Sequence, residues 1–237
     1  MTKKIIAVDL DGTLLNGESK LSDFTKDTIK QISKKGHHVI IATGRPYRMA
    51  KDFYHQLELE TPMINFNGSL THLPGKVWEH EKCLTVDKKY LLDMVARKEE
   101  IEADFIAGEY RKKFYITAPD HEIADPRLFG VENFHPENQF NSDLVTKDPN
   151  CILLQTRASD KYALAEEMNR FYQYQLNINT WGGPLNILEC TPKGVHKAFA
   201  LEYLLKVMNR DKQDLIAFGD EHNDTEMLSF AGKGYAM

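Results

Sequence analysis

The sequence predicts a doubly wound, Rossmann-like α/β fold with a parallel sheet and an inserted α+β domain. Short apolar runs bounded by charge recur at KKIIAVDL, HVIIAT and DLIAFGD, the pattern of strands buried on both faces of a parallel sheet. Helix-like segments separate the early runs, as parallel crossovers require. Between residues 83 and 188 that rhythm gives way to mixed strand and helix signals, and it resumes afterwards.

In chain order, Lys3 to Leu10 reads as the first strand. Ser22 suits a helix N-cap, Ile29 and Ile32 share one face, and Gly36 fits the left-handed C′ position before the second strand, HVIIAT. Pro46 opens a helix over PYRMAKDFYHQL, and PMINFNG, 62–68, reads as a third strand. SLTHLPGKVWEHE alternates around Leu73-Pro74-Gly75, a hairpin signal. The inserted segment offers a helix over 87–100, strands over 112–117 and 151–156, a Ser159-capped helix to about Tyr172, and strands over 176–180 and 185–190, with a loop-heavy stretch at 118–150. Pro192 then opens a helix through VHKAFALEYLLKVM, DLIAFGD returns to the sheet, and NDTEMLSFAG forms a last helix. The expected domains are a split core, 1–82 and 189–237, around an α+β domain, 83–188.

Composition narrows the function. The chain has 237 residues, 42% hydrophobic and 27% charged, ordinary for a globular protein of one or two domains. Its net charge of −5 lacks the basic footprint of a nucleic-acid or anionic-membrane partner. Cys83, Cys151 and Cys190 form no zinc or disulfide pattern and read as packing residues of a reducing compartment. The nine histidines show no HExxH spacing, which disfavours zinc. The apolar run before Asp9 is far shorter than the ~7–15 residues of a signal core, so the expected location is cytoplasmic, with no membrane partner.

The chemistry-bearing residues sit where predicted strands end, the ligand-binding edge of a doubly wound sheet. Asp9 and Asp11 leave the first strand two residues apart. One carboxylate can attack an electrophile while the other handles protons, and both suit a hard divalent cation, although an Asx turn explains such a pair as well. Thr43 and Gly44 end the second strand with a hydroxyl and turn amides fit for an anion, or for simple capping. Lys193 adds a cation beside a helix start, where a surface lysine is also common. Asp220, Asn223 and Asp224 close another strand with oxygen ligands and an amide.

Together these segments resemble the haloacid dehalogenase (HAD) superfamily. DLDGTLL is similar to its first motif, IIATGR to its second, Lys193 in TPKG to its third and GDEHNDTEML to its fourth. The GDxxNDxxM form, INFNGS and the long insertion resemble the Cof-type branch, in which an inserted cap closes over the core. The resemblance implies a phosphatase acting on small phosphorylated metabolites, sugar phosphates or phosphorylated cofactor precursors, through an aspartyl-phosphate on Asp9. Asp11 would be the acid and base. Mg²⁺ would be held by Asp9, the Asp11 carbonyl and Asp220, with Asp224 in support. Leu10, Thr43, Gly44, Lys193 and Asn223 would hold the phosphoryl group. A cation also answers electrostatic need: at an effective dielectric near ~20, like charges ~4 Å apart repel by about 4 kcal/mol, and the acidic pocket must admit a phosphate dianion. A phosphomutase or phosphotransferase on the same scaffold, and a non-catalytic phospho-ligand binder, remain alternatives. Cof-type chains continue for some tens of residues after a segment like KGYAM, so exposed apolar surface on the core is expected here.

Overall fold

The computed structural model describes residues 3–237. The chain opens with β1 (Ile5–Val8), α1 (Asp23–Lys34), β2 (His38–Ile41), α2 (Tyr47–Gln56), β3 (Met63–Asn65), β4 (Leu70–His72) and β5 (Lys82–Cys83). It continues through α3 (Lys88–Ala96), β6 (Ala103–Glu109), β7 (Phe114–Ile116), β8 (Cys151–Thr156), α4 (Lys161–Phe171), β9 (Leu176–Thr180) and β10 (Ile187–Pro192). Last come α5 (Lys197–Val207), β11 (Leu215–Gly219), α6 (Thr225–Phe230) and β12 (Lys233–Ala236). Two compact units result, one running to Cys83 and resuming at Val195, the other Leu84–Gly194.

The first unit is built on a parallel sheet in the order β12-β11-β1-β2, in which β1, β2 and β11 are the expected apolar runs and β12 is an exposed edge strand that the sequence reading did not place. β1 and most of β2 and β11 are apolar because alternate residues feed different helix layers. Ile6, Val8, Val39 and Ile41 join Ile29 and Tyr54 on one side, while Ile5, Ala7, Ile40 and Ala217 join Leu201 and Leu204 on the other. The Ser22 hydroxyl caps α1 by accepting from the Thr25 amide at 3.0 Å, and Gly36 takes φ 83° just beyond its end. β3 extends the layer through the Ala42–Ile64 bridge. It stops at Asn65, short of the expected 68, because Phe66 and Asn67 both adopt left-handed backbone and turn the chain into antiparallel β4.

The second unit is a five-stranded antiparallel sheet, β7-β6-β8-β10-β9, whose apolar face packs with Leu91, Met94, Ala165 and Met168 of α3 and α4. Strand β6 answers to no sequence expectation. The segment 118–150 is irregular and contributes Phe129 and Phe134 to an aromatic cluster with Phe105 and Phe114. Asp160, rather than Ser159, caps α4 by accepting from the Tyr162 and Ala163 amides. The buried Lys161 ammonium donates to the carbonyls of Trp181, Gly183 and Leu185 and so fixes the Trp-Gly-Gly loop.

Three further expectations are revised. Pro192 ends β10 instead of opening a helix: β10 pairs with both β8 and β9, so the second unit runs to Gly194 and not to 188. α5 starts at Lys197, where His196 Nδ1 accepts from the Phe199 amide. Cys83 is exposed on β5, whereas Cys151 and Cys190 are core residues, their thiols pushed up by burial and then by the nearby Glu189 carboxylate. An apolar groove on the first unit is lined by Ile6, Val8, Leu14, Phe24, Ile29 and Phe218. Among the described residues no helix is long and apolar enough to cross a membrane.

Candidate active site

The parallel sheet delivers its chemistry at one edge. β1 ends into a wide helical turn, Leu10–Leu14, in which Leu10 buries its side chain in the core and Gly12 takes φ 74°. A Cβ on Gly12 would overlap the Asp220 carboxylate, so only glycine lets the β1 and β11 ends approach this closely. Thr13 Oγ1 donates to Asp220 Oδ1 at 2.8 Å and ties the same two loops together.

At the centre lies a buried ion triad. Lys197 Nζ donates to Asp9 Oδ1 at 2.6 Å and to Asp224 Oδ1 at 2.7 Å, and none of the three is more than 8% exposed at its side chain. The second oxygen of Asp224 accepts from the Asp220 and Glu221 amides, which shapes the loop after β11. One ammonium between two buried carboxylates leaves a net negative charge. Burial accordingly pushes the Asp9 carboxyl up to about 6 despite the opposing pull of Lys197, with Asp224 and Asp11 adding to the rise. Burial works against the Lys197 ammonium, but its two carboxylate partners outweigh it and hold the pKa above the ordinary lysine range.

The sequence-predicted residues are gathered here with one exception. Asp9, Asp220 and Asp224 each place a carboxylate oxygen within 4.8 Å of the others. Thr43 is buried, and its hydroxyl accepts from the Arg45 amide at 3.1 Å. Gly44 lies against Asn67, whose Oδ1 accepts from Asn223 Nδ2 at 3.3 Å. Asp11 stands apart from the triad, paired through both oxygens to Arg45 at 2.7 and 2.5 Å. Lys193 is the exception: it is an exposed turn residue of the second unit, and the lysine among these acids is Lys197. The proline that drew attention to position 193 terminates a strand, and the helix that delivers a lysine begins four residues later. Sequence reading also left Arg45 and Asn67 without roles. The signals for them were TGR and INFNGS, both visible but not tied to a contact.

The donor set fits a hard divalent cation. Three carboxylates converge within bonding reach of a single ion, and hard cations take oxygen ligands. Asp9 and Asp220 would serve as direct ligands, with Asp224, bonded through its two oxygens to Lys197 and two amides, in support.

The family model of the haloacid dehalogenase-like hydrolases matches residues 6–237. The chain belongs to that family. This hydrolase is 33% identical over 239 residues to the 5-amino-6-(5-phospho-D-ribitylamino)uracil phosphatase YitU of Bacillus subtilis, covering 98% of this chain and 86% of YitU. It is 27% identical over 242 residues to YcsE of the same organism, described by the same activity, covering 99% of this chain and 83% of YcsE. A haloacid dehalogenase-like hydrolase structure from B. subtilis superposes with a TM-score of 0.80 at 25% identity, covering 99% of this chain and 89% of that one. With phosphatase relatives along nearly its whole length, this hydrolase is an enzyme of the phosphatase class.

Proposed function

We propose that this hydrolase is a Mg²⁺-dependent phosphatase of small phosphorylated metabolites that works through an aspartyl-phosphate and acts in the cytoplasm. The observation that carries the reading is the buried Asp9–Lys197–Asp224 triad at the carboxyl end of β1, beside Asp220. An Asp whose one oxygen is pinned by a lysine presents the other in a fixed direction, as a nucleophile needs. Asp9 attacks phosphorus and the P–O bond to the leaving group breaks. Asp11 gives its proton to the departing oxygen, then takes one from the water that cleaves the Asp9 ester.

Lys197 has three N–H donors and commits two to carboxylates, so the third serves a phosphoryl oxygen. Thr43, the Leu10 and Gly44 amides and Asn223 supply further donors to the same group, and Asn67 orients Asn223. Asp9, the Asp11 carbonyl and Asp220 would hold the metal, with Asp224 in support. When bound, Mg²⁺ supplies positive charge that screens these carboxylates from the substrate and supports charge on the transferring group. The names of the relatives YitU and YcsE support phosphorylated polyols attached to a heterocycle as the first substrates to try.

A panel of sugar phosphates, polyol phosphates and p-nitrophenyl phosphate, with Mg²⁺ or EDTA, tests the reading. Phosphate release is expected with Mg²⁺ and should fall by about 10²-fold or more in EDTA, the scale of a lost electrostatic stabiliser. Undiminished release in EDTA, or transfer to a sugar hydroxyl in preference to water, would overturn it.

A further inference from the structure

Arg45 follows the phosphate-binding turn, and its backbone is fixed from two directions. Its amide donates to Thr43 Oγ1, and its carbonyl accepts from the fully buried Asn65 Nδ2 at 2.8 Å. Asn65 is itself held by His72, whose Nε2 lies 2.9 Å from Asn65 Oδ1. From that anchored backbone the guanidinium passes over the Phe53 ring at 5.5 Å and meets Asp11 fork to fork. A planar guanidinium bound to both oxygens of a carboxylate restricts its position and its rotation, which a single bond does not.

Asp11 needs such restraint. It follows the buried Leu10 at a position with non-helical backbone, and its side chain is 52% exposed. Across Gly12 lies the Asp220 carboxylate, part of the oxygen cluster that suits a cation. A metal there would attract any mobile carboxylate within reach, and Asp11 recruited as a ligand through its side chain could no longer carry protons.

We propose that Arg45 is a positioning residue that holds the Asp11 carboxylate outside the Asp9, Asp220 and Asp224 metal cluster, keeping it available for proton transfer. The inference rests on the phosphatase reading for Asp11's role, but the restraint itself stands on the geometry.

The experiment compares the wild type with Arg45→Ala, Arg45→Lys, Asp11→Asn and the double variant Asp11→Asn with Arg45→Ala. Kinetics use an alkyl phosphate, whose leaving oxygen needs a proton, and p-nitrophenyl phosphate, whose leaving group departs without one. Arg45→Ala should lower kcat on the alkyl phosphate by about 10–100-fold with KM changed by less than about threefold, and on p-nitrophenyl phosphate it should leave the pre-steady-state burst of p-nitrophenol, which needs no proton from Asp11, within about threefold of wild type. Arg45→Lys, which keeps charge but loses the fork, should recover only part of that loss. Calorimetric titration of the phosphate-free protein with Mg²⁺ gives the second readout. Arg45→Ala should bind Mg²⁺ about 5–10-fold more tightly than wild type, and adding Asp11→Asn should remove the gain.

A loss of the same size in the p-nitrophenol burst, or a rise in KM alone, would mean that Arg45 contacts substrate, and the proposal fails. A Mg²⁺ gain that survives Asp11→Asn would reduce the effect to the loss of one positive charge, and the proposal fails again. If the wild type hydrolysed neither phosphate, the phosphatase reading would fall, while the Mg²⁺ titrations would still decide whether Arg45 restrains Asp11.

Discussion

Lys197→Ala should lower kcat/KM toward a phosphate monoester by about 10³-fold, while Lys193→Ala leaves it within about twofold. The asymmetry follows from burial and partners. Lys197 is fully buried and bonded to both Asp9 and Asp224, whereas Lys193 is exposed in the other unit. On the proposed mechanism, removing Lys197 takes a donor from the transferring group, and it frees the oxygen of Asp9 that the ammonium pins. It also leaves two carboxylates buried without their cation, a defect that typically costs about 3–5 kcal/mol. Urea denaturation in EDTA should show that loss for Lys197→Ala, and Lys197→Met, which preserves the stem's volume, should share the kinetic defect. An active Lys197→Met or an inactive Lys193→Ala would reverse the assignment.

Asp9→Asn should abolish turnover, with a fall on the order of 10⁴-fold or more, because an amide oxygen cannot form the phosphoryl ester. Its effect on stability has a sign set by the balance between burial and the Lys197 ammonium. In the metal-free protein the Asp9 carboxyl titrates near 6, above its ordinary 3.8. Between those values the folded state holds a proton that the unfolded chain has released, so Asp9's contribution is fully present below pH 4 and is lost as pH rises to 6. In EDTA, Asp9→Asn should therefore gain on wild type between pH 4 and pH 7, by up to about 3 kcal/mol. Adding Mg²⁺ at pH 7 should stabilise wild type more than the variant. A variant that loses ground to wild type over that pH range would show that Lys197 outweighs burial at Asp9.

What the sequence made legible, and what it hid, separates along physical lines. Strands β1 and β2 lie between two apolar layers, so their composition alone marks them. β6 escaped because ADFIAGE mixes Asp104, Gly108 and Glu109 into a strand whose order comes from its neighbours, chiefly the long pairing with β8. The acids of the site were legible because they stand directly at strand ends, where position follows from the sheet. Lys197 was not, since a lysine inside an apolar helix start reads as surface charge until the fold shows that α5 points it at Asp9. Arg45 and Asn67 depend on side-chain reach across turns, and no periodicity encodes that.

The bond from Lys197 to Asp9 closes a span of 188 residues, with all of the second unit made in between. At translation rates of about 5–20 residues per second, Asp9 is made some 10–40 s before Lys197. Over that interval β1 also lacks β11, its partner on one side. On the phosphatase reading, the acidic loop is thus made early and stays without its cation until the whole second unit and the start of α5 have followed.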